Sequence, residues 1–245
     1  MSVNAVAPSV DLPRKTMSWS RQMLRRVLAA TVSRRRFLVS GPADSGVACL
    51  TFDDGPDPLT TPLVLDVLAE HRVPATFFVV GRQVADNPEL LRRIASEGHL
   101  IGHHSWSHSE PSSTSCRALM TEVDQTRSLL TKLGVANSQW FRPPKGKLTA
   151  SKMIGLWCKQ QVVVLWSHDV RDYQAEDVHA LRERFSRSPI ASGDIVLLHD
   201  NQQQTAQVLS SVISETQQRG VRFGTPLDWF SCQAPASLAH VAGNK

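Results

Sequence analysis

Apolar residues along this chain gather into short continuous runs, and between the runs they recur at helical spacing. That alternation predicts buried strands with intervening amphipathic helices. Val47-Ala48-Cys49-Leu50-Thr51-Phe52, Thr76-Phe77-Phe78-Val79-Val80-Gly81, Val162-Val163-Val164-Leu165-Trp166 and Ile195-Val196-Leu197-Leu198 read as strands, and Gln139-Trp140-Phe141 as a shorter one. Thr61-Pro62 places a cap and a first-turn proline before Leu65, Leu68 and Ala69, which predicts a helix there. Asn87-Pro88 opens another through Leu90, Leu91 and Ile94 to Gly98, and Ala118 to Leu133 is a third, closed by Gly134. Alternating strands and helices predict an α/β fold, either a barrel or a wound sheet, which the pattern alone does not separate.

Chemically loaded residues follow directly after the strands. Thr51-Phe52-Asp53-Asp54-Gly55-Pro56 ends an apolar run with two adjacent carboxylates and then turns. Neighbouring strand side chains point to opposite faces, so two such acids share a pocket only where the strand breaks up. About fifty residues later, Gly102-His103-His104-Ser105-Trp106-Ser107-His108 carries His104 and His108 four positions apart. On a helical turn that spacing brings both imidazoles to one face, within reach of a single ion. Two histidines and one carboxylate leave an open coordination position, the pattern of catalytic rather than structural zinc. Arg142, Asp169 and His199 likewise follow predicted strands, as active-site residues do at the C-terminal face of parallel barrels.

These motifs, in order, resemble the polysaccharide deacetylases of the NodB-homology type, carbohydrate esterase family 4. The resemblance rests on Thr51-Phe52-Asp53-Asp54-Gly55, His104-Ser105-Trp106-Ser107-His108, Arg142-Pro143-Pro144-Lys145-Gly146, Asp169-Val170-Arg171-Asp172-Tyr173 and Leu197-Leu198-His199, and runs from about Val47 to Trp229. It implies a distorted (β/α) barrel of seven strands. It also implies a hydrolase that removes the N-acetyl group from an amino sugar in a polysaccharide, oligosaccharide or glycolipid. Asp54, His104 and His108 would hold a divalent metal, zinc first, with cobalt or nickel compatible with the same donors. Asp53 would be the general base and His199 the general acid. Arg142 would orient Asp53, Asp169 would hold His199 protonated, and the Lys145 backbone N–H would face the oxyanion.

The chain departs from the family pattern at two places. Lys145 stands where the family has an aromatic residue, which puts a cation near the sugar pocket. Tyr173 stands where tryptophan is common, so that an apolar wall gains a hydroxyl. Trp106 and Trp166 offer stacking surface for a pyranose, or core packing. A deformylase or O-deacetylase of a lipid-linked sugar would use the same machinery. A catalytically inactive carbohydrate-binding protein is the reading from another class, which the intact acids and histidines oppose.

Composition alters this picture mainly at the N-terminus. Residues 1–45 hold eight Lys or Arg and two Asp, and the remainder 19 basic and 20 acidic residues. The basic balance therefore belongs to a leader, residues 46–232 form a nearly neutral catalytic domain, and 233–245 read as a tail. This argues against nucleic acid as a partner. Met23, Leu24, Val27 and Leu28 interleave with Arg21, Arg25 and Arg26, then Arg34-Arg35-Arg36 follows. Such a helix either lies on an anionic membrane surface or packs on the domain exterior. Ser33-Arg34-Arg35-Arg36-Phe37-Leu38 resembles a twin-arginine export signal, but polar Gly41 to Gly46 follows in place of an apolar segment. The expected location is the cytoplasm or its membrane face. Cys49, Cys116, Cys158 and Cys232 are too scattered for a disulfide or zinc framework.

Overall fold

The run Val47–Asp53 is buried at all seven positions, so its backbone groups must be satisfied by neighbouring strands. In the computed structural model, which describes residues 23, 27–135 and 138–231, it is the centre of one parallel sheet. The strands are β1 (Phe37–Leu38), β2 (Val47–Asp53), β3 (Thr76–Val79), β4 (Leu100–His103), β5 (Trp140–Phe141), β6 (Val162–Val164), β7 (His168–Asp169), β8 (Ile195–His199) and β9 (Arg222–Phe223). The order is β1-β6-β5-β4-β3-β2-β8-β7, with β9 joined to β2, and every pairing is parallel. The sheet is a curled half-barrel of eight strands along its path, where seven were expected. Pattern reading misses β4 as well as β1, β7 and β9; the last three are two residues long, too short to leave an apolar run, and in β4 only Leu100 and Ile101 are apolar before Gly102 and His103.

Helices fill the crossovers: α1 (Thr61–His71), α2 (Gly81–Asp86), α3 (Pro88–Ser96), α4 (Cys116–Lys132), α5 (Ala150–Cys158), α6 (Val178–Arg187), α7 (Gln203–Gln218) and α8 (Asp228–Ser231). Their starts are built from local side chains. The Ser115 side chain accepts the Ala118 N–H at α4, and Asp177 accepts the Ala180 N–H at α6, each satisfying an otherwise orphan donor. Thr61 is the first residue of α1 and not its cap. Asp57 Oδ1 instead accepts the N–H groups of Leu59 and Thr60. Val80 and Gly81, expected to extend β3, open α2.

The main core lies between the sheet and α1, α3, α6 and α7, with Leu50, Phe52, Phe77, Leu65, Leu68, Leu91 and Leu209 among its buried members. Phe37, Leu38 and Val39, counted with the leader on sequence grounds, join the structure here: β1 pairs with β6, and Phe37 is packed with Phe141 and Val163. Leu28 and Val32 also pack against that cluster, while Met23 and Val27 are exposed. Arg21, Leu24, Arg25 and Arg26 of the leader, the tail and Cys232 lie outside the described residues. Among the described residues no helix is long and apolar enough to cross a membrane.

Gly102 in β4 shows how closely the strands carrying the site are packed. A Cβ there would stand 2.5 Å from the Phe78 ring and 3.0 Å from the Trp140 carbonyl oxygen. Gly102→Ala should therefore destabilise the fold by about 1–3 kcal/mol, read as a lowered midpoint in urea unfolding. An unchanged midpoint would mean that this packing is looser than described.

Candidate active site

The β2 strand ends at Asp53, and Asp54 turns the chain with φ at 77°. This positive φ, rare for a non-glycine residue, breaks the alternation that would send the two carboxylates to opposite faces. Asp53 is 3% exposed. Its Oδ1 accepts from Arg142 Nη1 at 2.8 Å, and the same guanidinium donates to Thr51 Oγ1 at 2.7 Å and to the Val164 and Leu165 carbonyls. Burial pushes the Asp53 carboxyl above its ordinary range, and the charges of Arg142 and then His199 pull it back.

Asp54, His104 and His108 offer ligand atoms that all lie within 4.8 Å of one another. His108 Nε2 is 3.3 Å and His104 Nε2 3.7 Å from Asp54 Oδ1. Donors about 2.0–2.1 Å from a tetrahedral zinc stand roughly 3.3 Å apart, so the spacing suits such an ion. Among the described residues Asp54 Oδ1 is also buried without a hydrogen-bond partner, a costly arrangement for an anionic acceptor. His104 Nδ1 lies 2.7 Å from the Arg142 carbonyl oxygen. Donating there fixes the tautomer and leaves Nε2 as a lone pair. Burial lowers the His104 pKa to about 3, so the imidazole is neutral. These residues fit a divalent metal.

The two histidines do not share a helical turn. His104 follows β4, and Ser105 and His108 both have positive φ, 68° and 52°. The loop is held by Glu122 of α4, whose carboxylate accepts the Trp106 and Ser107 N–H groups and the Ser107 hydroxyl. A tight loop thus achieves what helical spacing was expected to do. Trp106 packs its ring on Gly81, where a Cβ would come within 2.4 Å.

Across the sheet, β8 pairs with β2 so that His199 is the register partner of Asp53. The carboxylate on His199 is Asp172 and not Asp169. Asp172 Oδ1 lies 2.7 Å from His199 Nδ1, and its Oδ2 accepts the His199 N–H and the Thr205 hydroxyl. Asp169 is exposed and accepts the Arg171 N–H. Arg171 has φ of 53°, and this turn after β7 swings Asp172 beneath the imidazole. Nothing in the sequence spacing distinguishes the two acids. Burial disfavours a charged His199, but the hydrogen bond and charge of Asp172, with Asp53 and Asp54, lift it to about 9. Tyr173 packs edge-to-face with His199, the ring centroids 5.2 Å apart.

Lys145 stands in a tight turn at φ 55°, and its ammonium pairs with Glu110. Asp200, unnoticed on sequence grounds, is buried at the base of the site and accepts from Thr61 Oγ1 at 2.6 Å. Burial raises its pKa to about 7, Thr61 opposing and Asp54 adding to the shift. A His raised from 6.5 to about 9 stabilises the fold fully below pH 6.5, and that stability is lost as pH rises through 9. Chelator-treated protein should lose on the order of 3 kcal/mol across that window. In Asp172→Asn, NMR titration should show the His199 pKa back toward 6.5. A variant still titrating near 9 would refute Asp172 as the cause.

Residues 40–155 match the sequence model of the polysaccharide deacetylase family. A peptidoglycan-N-acetylglucosamine deacetylase of Bacillus cereus is 35% identical over 192 residues, covering 75% of this chain and 88% of that protein. A chitooligosaccharide deacetylase of Sinorhizobium fredii is 37% identical over 190 residues, 70% of this chain and 86% of its own length. The fold is shared with a solved peptidoglycan N-acetylglucosamine deacetylase bound to an N-hydroxybenzamide, with a TM-score of 0.77, 27% identity, and coverage of 83% of this chain and 96% of that one. With its motif residues assembled at one end of a parallel half-barrel, the chain belongs to the polysaccharide deacetylase family.

Proposed function

We propose that the protein is a zinc-dependent deacetylase that removes acetate from N-acetylglucosamine residues of a glycan, leaving a free amine. The observation that carries this reading is the assembly of Asp54, His104 and His108 beside Asp53 on β2, with His199 in register on β8. The similarity to deacetylases of peptidoglycan and chitooligosaccharides supports the substrate class.

Asp54, His104 and His108 would hold the metal, which when bound supplies Lewis-acid polarisation of the acetyl carbonyl and a more acidic water. Asp53, oriented by the hydrogen bond it accepts from an Arg142 guanidinium that Thr51 also anchors, takes the proton from the attacking water. The Lys145 N–H donates to the oxygen that gains negative charge. His199, held protonated by Asp172, then donates its proton to the departing amine nitrogen, which is a poor leaving group as an anion. The base and the acid thus come from adjacent strands, and the amide nitrogen leaves on the side of the acid.

Asp53→Asn should lower kcat for acetate release by about 10²–10⁴-fold while retaining stoichiometric zinc, and chelation should abolish turnover until zinc is restored. Full activity in Asp53→Asn would overturn the assignment of the base.

We also propose peripheral contact with an anionic membrane. Met23 and Val27 are exposed on a segment that Leu28 and Val32 hold against the domain, and Arg34, Arg35 and Arg36 are exposed beside it. The full chain should sediment with vesicles containing phosphatidylglycerol and not with pure phosphatidylcholine, and Val27→Asp should weaken the association. Equal sedimentation with both vesicles would refute an electrostatic contact.

A further inference from the structure

Arg184 lies in the last turn of α6, a helix that supplies no group to the proposed reaction, and its side chain reaches the turn that carries Asp172. Nη1 donates to the Val170 carbonyl at 3.2 Å and to the Arg171 carbonyl at 2.6 Å, and Nη2 donates to the Gln174 carbonyl at 2.9 Å. All three acceptors are backbone oxygens, whereas Arg182 and Arg187 on the same helix pair with the carboxylates of Glu215 and Glu183. A planar guanidinium, with donors in fixed directions, is suited to bridging several carbonyls at once.

The middle acceptor matters most. Arg171 is the residue at φ 53°, a conformation that persists only where the surroundings hold it. Its carbonyl receives both Arg184 and the Gln174 N–H, the latter at 2.9 Å, so the left-handed residue is held from the helix and from within the turn. The helix is itself anchored. Asp177 caps it, and Leu181 and Phe185 are buried. The His168 ring on β7 stacks on Phe185, and His168 Nε2 lies 2.7 Å from the Ser188 carbonyl oxygen. The strand before the turn and the turn itself are therefore both fastened to α6.

We infer that Arg184 is a positioning residue for the proton donor: it holds the turn 170–174 in the form that sets Asp172 beneath His199. The inference rests on the deacetylase reading for its consequence in catalysis. Arg184 hydrogen-bonds neither Asp172 nor His199 and acts through the backbone between them. The Thr205 hydroxyl on α7 grips Asp172 from another side, so loss of Arg184 loosens the contact without abolishing it. The other groups facing His199 are Asp53 and Asp54 from the end of β2 and the Tyr173 ring from the same turn. Removing a nearby cation would by itself raise the pKa of a histidine. Loss of placement has the opposite sign, because the hydrogen bond and charge of Asp172 are what lift His199.

The test is an NMR titration of His199 in the zinc-loaded full chain, together with the pH profile of acetate release from N-acetylglucosamine tetramer. In Arg184→Gln the His199 pKa should fall by about one unit. The alkaline limb of kcat/KM should move down with it, about a tenfold loss well above the pKa. Arg184→Lys, which keeps the charge without the fork, should fall between the parent and Arg184→Gln. Arg182→Gln removes a like charge from the same helix and should leave the titration where it is. A His199 pKa that stays or rises in Arg184→Gln, even with a lowered thermal midpoint, overturns the inference, as does an equal fall in Arg182→Gln. Where Arg184→Gln does not fold, Arg184→Lys decides by the same criterion. Absence of acetate release from the parent enzyme counts against the deacetylase reading, and the titration still judges the placement of Asp172.

Discussion

Arg142 is a charged side chain with no exposed surface, and the site is organised around it. A cation removed from water is stable only when its donors are satisfied and an opposite charge stands close. Here the guanidinium meets Asp53, Thr51 and two carbonyls, and lies 4.1 Å from the Phe78 ring centroid. Its own carbonyl receives His104. One residue therefore holds Asp53, ties β2 to the Val164 and Leu165 carbonyls, and orients His104. Burial lowers the Arg142 pKa while Asp53 raises it, so that each of the two charges is tolerable because the other is present.

The parallel sheet explains why such different groups converge. Every strand delivers its C-terminal end to the same rim, so the turns after β2, β4, β5, β7 and β8 all meet there. Each turn solves its own backbone problem. Asp54, Ser105, His108, Lys145 and Arg171 have positive φ, a conformation that costs free energy for non-glycine residues and persists when the surroundings over-determine it. Their concentration along this rim is what separates the site from the rest of the surface.

Electrostatics divides the rim into two parts. On the metal side, His104 is driven neutral by burial, which suits a ligand. On the other side, His199 is held protonated by Asp172, which suits a donor. The same residue type thus has opposite charge states a short distance apart, because burial prevails at His104 whereas the hydrogen bond and charge of Asp172 outweigh it at His199.

The sequence alone determined the alternation of strands and helices, the family, and the grouping of Asp54, His104 and His108, because continuous apolar runs, helical spacing and closely spaced motifs are local properties. It placed the Asp53 and His199 motifs after strands, and the register between β2 and β8 then set them side by side. Tertiary structure decided which acid holds His199, since Asp169 and Asp172 differ only in how the left-handed turn at Arg171 aims them. It decided that a loop held by Glu122, and not a helix, presents the histidines. It also drew Phe37 and Leu38 into the sheet, because strands of two residues carry too few side chains to mark themselves and exist through their partner.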